Sequence, residues 1–191
     1  MTVVLDSVVE DLRSVGFDVA SVSELRTSGL KYRDAVPVLV ESLPRLEELR
    51  DREEVVRALS VPWARPSAVR PLLAEFWRAI EREEPGLAWA VGNALEVVAD
   101  DSLFEELVEL VRDRRLGISR QMVVLGLGKS KRSEVVEVLV GLLDDDEVSG
   151  HAVMALGKLR AATARDSVVP FLTDRRSWVR KEAKKSLERM V

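Results

Sequence analysis

The sequence predicts an all-α protein in which helical hairpins repeat along the chain as a solenoid. A motif of one small residue followed by leucine recurs at Ala94-Leu95, Gly126-Leu127, Ala155-Leu156 and Ser186-Leu187. The steps between the leucines are 32, 29 and 31 residues, the period typical of helical-hairpin repeats. The 191 residues are 47% hydrophobic and 32% charged, a composition that supports packed helices. Each hairpin is expected to bury its apolar face against its neighbours.

The most regular hairpin is predicted between residues 148 and 172. Its first helix is indicated by small or apolar residues on one helical face: Val148, Ala152, Ala155, Leu156 and Leu159. Gly157 and residues 161–166 are expected to form an irregular connection before a second helix begins. The apolar stripe of that second helix is Val168, Val169, Phe171 and Leu172, with Pro170 early in it.

Further helices follow from the same periodicity on either side of this hairpin. After a polar turn, Ser177 is a candidate N-cap for a helix with Val179, Ala183 and Leu187 on its buried face. Four preceding helices are predicted on these apolar residues: Val135, Val136, Leu139, Leu142 and Leu143; Val123 and Leu127; Leu103, Phe104, Leu107, Val108, Leu110 and Val111; Leu87, Val91, Ala94 and Leu95. Three hairpin periods are therefore predicted after residue 86.

The sequence is less regular before residue 86. Residues 54–59 echo the motif, but the step of 36 to the next copy and the cluster of Pro62, Pro66 and Pro71 indicate a longer connection. Residues 32–43 are predicted to form a helix, because their apolar residues recur at helical spacing. A degenerate repeat is typical of the end of a repeat array.

The first thirty residues are interpreted as an N-terminal helical cap. Their apolar residues predict one amphipathic helix from Val4 to Leu12 and a short second helix over residues 19–25. Together the two helices could cover the exposed seam of the first repeat. The expected organisation is therefore a cap of residues 1–30 and a solenoid of residues 31–191 within one continuous domain.

Composition narrows the classes of function. The chain has no cysteine, which excludes disulfides, thiolate metal sites and a cysteine nucleophile. Its start lacks the basic residues and apolar core of a signal peptide, and no uncharged apolar run approaches 18 residues, so we expect a cytoplasmic protein without a membrane partner. Residues 1–100 carry 12 Lys/Arg against 18 Asp/Glu, whereas the last 17 residues carry 7 against 2. The basic region is therefore confined to a short terminal stretch.

The regular repeats resemble the HEAT-like repeats first associated with phycocyanobilin lyases. Hairpins of that family carry Val-Arg-x-x-Ala-x-x-Ala-Leu-Gly after an acidic turn, and residues 148–157 and 179–187 match this pattern best. The resemblance covers about residues 31–191 and is strongest after residue 86. It implies a right-handed α-α superhelix whose Ala-Leu-Gly helices line the concave side.

The same resemblance implies a binding groove on the outward positions of those helices. The groove residues are Trp89, Asn93, Gln121, Met122, Leu125, Lys129, His151, Met154, Lys158, Trp178, Lys181 and Lys185. Exposed aromatic residues beside methionine and lysine suit a protein interface, because they bury a large area at little entropic cost. Packing in the seam is an equally weighted alternative for Trp178, and we expect Trp63 and Trp77 in the core.

Nucleic acid is the second hypothesis for the partner. Lys129, Lys158 and Lys185 occupy similar repeat positions and could form a basic ladder, although solvated lysines are the simpler interpretation. Some HEAT-like folds are alkylpurine DNA glycosylases that use tryptophan, aspartate and arginine in a concave cleft, and residues 178–181 are faintly similar to that pattern. No catalytic aspartate can be matched, and the sequence pI of about 5.3 disfavours nucleic acid.

Three motifs that suggest chemistry are interpreted structurally. Four consecutive acids at residues 144–147 more often cap and solvate a turn than bind a metal. His151 is the only histidine, which excludes any site that needs two histidines. The glycines of residues 126–130 and Gly157 lack the spacing and the preceding strand of a phosphate loop, and we expect them to end helices.

The sequence therefore predicts a non-enzymatic scaffold or adaptor that binds another macromolecule in its groove. An acidic or extended protein segment is the favoured partner, and no cofactor or metal is expected. A bilin-lyase-like or chaperone role is a minor alternative that rests only on the name of the repeat family.

Overall fold

The computed structural model describes residues 5–190, and within this range twelve α-helices are joined by 3-10 segments and turns. The helices are α1 Leu5–Ser14, α2 Val22–Thr27, α3 Val36–Ser42, α4 Leu49–Leu59, α5 Val69–Glu81, α6 Pro85–Val98, α7 Phe104–Arg112, α8 Gln121–Leu127, α9 Val135–Gly141, α10 Ser149–Leu159, α11 Arg165–Val168 and α12 Ser177–Arg189. The predicted all-α class is confirmed. Val4, which we expected in the first helix, lies outside the described residues.

The chain folds as two compact units, residues 1–99 and 100–191. In the first unit α2 packs on α4 and α4 packs on α6, while α1 contacts α3 and α5 contacts α6. In the second unit α8 packs on α10 and α10 packs on α12, while α7 contacts α8 and α9 contacts α10. Each unit is thus built from neighbouring helices packed side by side.

The predicted apolar stripes form the core of the even-numbered helices. Leu87, Val91, Ala94 and Leu95 of α6 are buried, and so are Val179, Ala183 and Leu187 of α12. In the same way Ala152, Ala155 and Leu156 are fully buried in α10. Burying one such valine or leucine side chain is worth about 1.5–3 kcal/mol, so the stripes account for much of the stability.

Small residues let successive helices of the second unit approach closely. A Cβ atom on Gly128 would lie 2.9 Å from the Cα atom of Ala155, and a Cβ atom on Gly157 would lie 2.8 Å from the Cα atom of Ser186. Gly128 ends α8, as expected, but the same expectation for Gly157 is wrong. Gly157 lies inside α10, because its missing side chain makes room for α12, and the helix ends instead at Arg160 in a left-handed conformation.

Helix α5 is absent from the sequence-based prediction, which treated its region as a proline-rich connection. It runs from Val69 to Glu81 and buries Leu72 and Phe76. Pro71 is the third residue of this helix. Proline is tolerated there because the first N–H groups of a helix have no acceptor within the helix. The proline therefore marks a helix start and not a loop.

The second helix of the most regular hairpin is also shorter than expected. Helix α11 ends at Val168, and a 3-10 segment, Val169–Thr173, contains Pro170. Val168 is buried, whereas Val169 and Leu172 are exposed, so most of the predicted stripe is wrong. The tighter 3-10 turn changes the angular spacing of the side chains and rotates these residues away from the core.

The N-cap predicted for the last helix is displaced. Ser177 is the first residue of α12 and its side chain does not cap the helix. The Asp174 carboxylate instead accepts a hydrogen bond from the backbone N–H of Arg176 at 2.7 Å. The preceding turn, not the expected serine, therefore orders the chain before α12.

Candidate functional site

The first unit exposes one of the predicted groove tryptophans on a well-packed helix. Trp89 lies in α6 and is 45% exposed, whereas Ala88 and Ala90 beside it are buried. One turn later the Asn93 side chain donates a hydrogen bond to the Trp89 carbonyl at 2.9 Å. The structure therefore places the Trp89 ring at the surface and Asn93 next to it.

A cavity of about 520 Å³ opens beside Trp89 within the first unit. Its size is within the range of pockets that hold small ligands or single side chains. Its aromatic and polar lining includes Arg26, Tyr32, Arg57, Ser60, Trp63, Trp89 and Asn93. We call this space the Trp89 cavity.

Two aromatic residues form the inner wall of the Trp89 cavity. The Tyr32 ring is buried and its hydroxyl donates to the Ala58 carbonyl at 3.0 Å. Burial raises the pKa of Tyr32, so the hydroxyl stays protonated and keeps this bond at neutral pH. The Trp63 ring meets the Tyr32 ring edge-on, with centroids 5.5 Å apart. The Nε1 atom of Trp63 is buried and finds no acceptor among the described residues.

The two tryptophans expected in the core differ in position. Trp63 is half-buried, because one part of the ring packs on Tyr32 while another part lines the Trp89 cavity. Trp77 is 37% exposed, so its placement in the core was wrong. It lies on α5, where the ring packs edge-on against Phe76 while the buried face of the helix is occupied by other side chains.

Two arginines give the Trp89 cavity a positive character. The Arg57 guanidinium pairs with the Glu53 carboxylate at 2.6 Å, and this pair is exposed. Arg26 is exposed and makes no hydrogen bond or ion pair with residues 5–190. Among the described residues, no carboxylate lines the cavity. Anionic groups are therefore favoured there over cationic ones.

In the second unit, Trp178 combines exposure with packing. The ring is 42% exposed and lies across Gly150 of α10, where a Cβ atom would be only 2.2 Å from the Cη2 atom of the indole. The His151 ring packs at 5.4 Å between centroids, and the Arg176 guanidinium lies 5.9 Å from the indole centroid. Part of the Trp178 ring therefore packs against α10, and the rest is exposed to solvent.

His151 is held as a neutral side chain. Burial, with a smaller contribution from Arg176, lowers its pKa to about 4. Its Nδ1 atom is buried and makes no hydrogen bond with the described residues. Because the ring packs against Trp178, His151 supports the position of that tryptophan.

The remaining residues predicted to line a groove are mostly accessible. Lys129, Lys158, Lys181 and Lys185 are exposed, and Met122 and Met154 are half-buried. The Gln121 amide donates to the Glu147 carbonyl at 2.8 Å. Leu125 is the exception, because it is buried at 8% exposure. The short helix α8 uses it, with Val123, Val124 and Leu127, to fill the core, so its placement in the groove was wrong.

The four consecutive acids form a turn that is paired with arginines. Asp144 contacts Arg114 at 2.8 Å, Asp145 contacts Arg120 at 2.8 Å, and Asp146 contacts Arg175 at 3.0 Å. Burial raises the pKa of Asp145, yet hydrogen bonds from Arg120 and from the Glu147 N–H hold it below its ordinary value. Over residues 5–190, no group of three or more histidines and acids is arranged to hold a metal ion.

Sequence reasoning missed Tyr32, Arg26 and Arg57 as members of a candidate site. A signal was present, since Tyr32, Trp63 and Trp89 follow one another at 31 and 26 residues, close to the repeat period. Aromatic residues that recur at about this period fall on equivalent positions of successive repeats. Such positions can converge on one surface.

No family model matches this chain, and no curated protein sequence matches it significantly. The resemblance to HEAT-like repeats therefore depends on the motif itself. In the part of the chain that the structure describes, none of the helices is both long and apolar enough to cross a membrane.

Proposed function

We propose that this chain is a solenoid of HEAT-like hairpins that acts as a non-enzymatic scaffold and binds a segment of a partner protein. The observation that carries the proposal is the exposure of Trp89 and Trp178, at 45% and 42%, on helices whose other faces are buried. Large aromatic side chains on a rigid helix bind with little loss of conformational entropy. They are therefore suited to anchor a partner.

Polar links at the repeat spacing support the solenoid. Side chains in each unit pair with groups 29 to 32 residues away. These links are Glu47–Arg78, Arg52–Glu84, Asp101–Ser130, Arg114–Asp144 and Asp146–Arg175. Contacts restricted to the neighbouring repeat are characteristic of solenoid proteins.

Charge pairing favours a protein over a nucleic acid as the partner. Arg175 and Arg176, in the basic terminal stretch, pair with Asp146 and Asp174 at 3.0 and 2.8 Å. Paired arginines contribute less to phosphate binding than free ones, because each must give up its carboxylate before it can neutralise a phosphate and displace a counterion of the nucleic acid. The DNA glycosylase, bilin-lyase and chaperone alternatives have no comparable observation in their favour.

Capture followed by reconstitution tests the proposal. The full chain is used as bait in parallel lysates with and without nuclease treatment, the protein captured from the treated lysate is identified, and its affinity for the purified chain is measured by calorimetry. Trp89→Ala/Trp178→Ala is expected to weaken binding by about 30-fold or more, because buried aromatic anchors contribute about 2 kcal/mol. Trp77→Ala is the matched control, since Trp77 is similarly exposed but lies on α5.

Three results would contradict the proposal. Equal binding by the double variant and the wild type would remove the tryptophans from the interface. A melting temperature that falls sharply in the double variant would show that both rings are structural. Capture that depends on nucleic acid would favour the second hypothesis.

A further inference from the structure

We propose that the Trp89 cavity receives one aromatic side chain from an acidic segment of the partner protein. This inference rests on the proposed function and adds the chemistry of the partner. It concerns the first unit alone, because all residues of the cavity belong to residues 1–99.

The aromatic lining favours an aromatic guest. Tyr32 and Trp63 already make an edge-to-face pair at 5.5 Å, and Trp89 adds a third ring that faces the same cavity. Aromatic rings prefer edge-to-face or offset contacts, and such a pair is worth about 0.5–1.5 kcal/mol beyond the area it buries. A space of about 520 Å³ accommodates one large side chain and the backbone on either side of it.

The charges favour carboxylates beside that guest. Arg26 and Arg57 line a cavity free of described acidic side chains, although residues 1–100 carry six more acids than bases. A cationic ligand would meet two guanidinium groups there and is disfavoured. Arg57 can exchange Glu53 for a carboxylate of the partner, because an exposed ion pair contributes less than about 1 kcal/mol.

Polar groups around the rings can fix the backbone of the segment. Asn93 uses one N–H group on the Trp89 carbonyl, and its amide retains a second N–H donor and an acceptor oxygen. The Ser60 side chain lies on the same lining. The Trp63 indole is held by ring packing without a hydrogen bond to the described residues, so the ring can adjust to the guest without breaking one.

Selection from a random peptide library tests the inference directly. The full chain is used to select 16-residue peptides displayed on phage, and enriched peptides are synthesised with a fluorescein label for anisotropy titrations. We expect enriched sequences to contain Trp, Tyr or Phe flanked by Asp or Glu. Replacing that aromatic residue by alanine should abolish binding, and the affinity should fall as the salt concentration rises.

Four variants of the chain separate the contributions of the aromatic ring and of the positive charge to peptide binding. Trp89→Ala should weaken peptide binding by about 30-fold. Arg26→Glu should weaken it by about tenfold without unfolding the chain, because Arg26 is exposed and unpaired among the described residues. Arg33→Glu changes the net charge equally at an exposed position outside the lining and should have little effect. Trp178→Ala, in the second unit, should also have little effect.

Several outcomes would overturn the inference. Enriched peptides without aromatic or acidic residues would do so, as would binding that depends on Trp178 but not on Trp89. Both would leave the scaffold proposal standing. A library that yields no enriched peptides would overturn the proposal of an aromatic guest in the Trp89 cavity. The scaffold proposal would still be tested by capture from the lysate. Tighter, Trp89-dependent binding of a labelled single-stranded oligodeoxynucleotide would assign the cavity to nucleotides.

Discussion

The two compact units each bury one arginine completely but satisfy it differently. Arg52 in the first unit pairs with two carboxylates, Glu75 at 2.6 Å and Glu84 at 2.8 Å. Arg120 in the second unit pairs with Asp145 at 2.8 Å and with Glu147 at 3.7 Å, and it also donates to two backbone carbonyls, those of Val111 and Gly117. The first arginine thus connects three helices through side chains, whereas the second also fixes the irregular segment before its own helix.

The two units also differ in the contacts described between neighbouring helices. In the second unit, glycine and alanine let backbones approach, as at Gly128 and Gly157, and little space is left between successive helices. In the first unit, Glu47 pairs with both Arg78 and Arg82 and so links α5 and its end to the segment before α4. The Trp89 cavity lies in the first unit. The close approaches at Gly128 and Gly157 and the Trp89 cavity are therefore found in different units.

Ala155→Asp has the largest expected effect and tests the close packing of the second unit. Ala155 is fully buried against the segment that ends α8, so an aspartate would place an unpaired charge in the core. We expect a loss of about 4 kcal/mol or more and unfolding of residues 100–191. Hydrogen exchange followed by mass spectrometry measures this loss segment by segment. Ala162→Asp is the exposed control, and a protected second unit in the Ala155→Asp variant would contradict the helix packing.

Arg52→Met tests the buried ion pairs of the first unit. It removes the closer partner of Glu75 and is expected to cost about 3 kcal/mol at pH 7 in a urea titration, because the buried carboxylate then keeps only the weaker pair with Arg78 at 3.7 Å. Burial raises the pKa of Glu75 and Arg52 opposes that shift. In the variant we expect the pKa of Glu75 in the folded state to rise further above its value in the unfolded state. The protonated carboxyl is then tolerated at a pH below the unfolded-state pKa, and stability is lost as the pH rises through the folded-state pKa.

The control for Arg52→Met is Arg45→Met, which removes an exposed pair with Glu41. It should cost less than about 1 kcal/mol at any pH. An Arg52→Met variant whose destabilisation is independent of pH between 4 and 8 would show that Glu75 is not the group responsible.

Gly157→Ala tests whether close approach or helix propensity dominates in α10. The added Cβ atom would lie 2.2 Å from the Oγ atom and 2.8 Å from the Cα atom of Ser186. We expect a loss of about 2 kcal/mol in chemical denaturation, since the strain exceeds the gain of about 1 kcal/mol from alanine. Gly141→Ala, at a helical glycine with nothing within 4 Å, should be neutral or stabilising. Equal effects of the two substitutions would argue against the α10–α12 contact.

The smallest expected effect concerns the pH dependence of the second unit. His151 has its folded-state pKa lowered to about 4 from 6.5, so its contribution to stability is present above pH 6.5 and is lost as the pH falls towards 4. His151→Gln should reduce the slope of unfolding free energy against pH in that window by about 1 kcal/mol per pH unit at most. Unchanged slopes in urea titrations at pH 4 to 7 would assign the acid sensitivity to other groups.

The sequence predicted the helices that carry an uninterrupted apolar stripe better than the others. In α6, α10 and α12 the buried stripes follow the 3.6-residue period without interruption, and the pattern is sufficient to place them. In α5 the proline near its start was read as a breaker, although the rest of the helix carries a buried stripe. Side chains on α8 were misjudged because a seven-residue helix has too few turns to fix its buried face.

The candidate sites were only partly predictable. Exposure of Trp89 and Trp178 follows from their positions relative to the apolar stripes of α6 and α12, but the Trp89 cavity depends on side chains from four separate segments. The sequence also indicates that two arginines are buried, although a charged side chain by itself suggests exposure. Arg52 stands three, four and seven residues before Val55, Val56 and Leu59 on a buried stripe. Arg120 has the same relation to Val123, Val124 and Leu127, so a charged residue on an apolar face indicates a buried pair.

Polar links across 29 to 32 residues also bear on how the chain folds during synthesis. The entropy lost on closing a loop rises slowly with its length, so links of similar span cost similar amounts. Contacts that are local in sequence lead to fast folding, because no distant segment has to be found. Each of these side chains therefore finds its partner within 32 residues along the chain, so these links can form while synthesis continues.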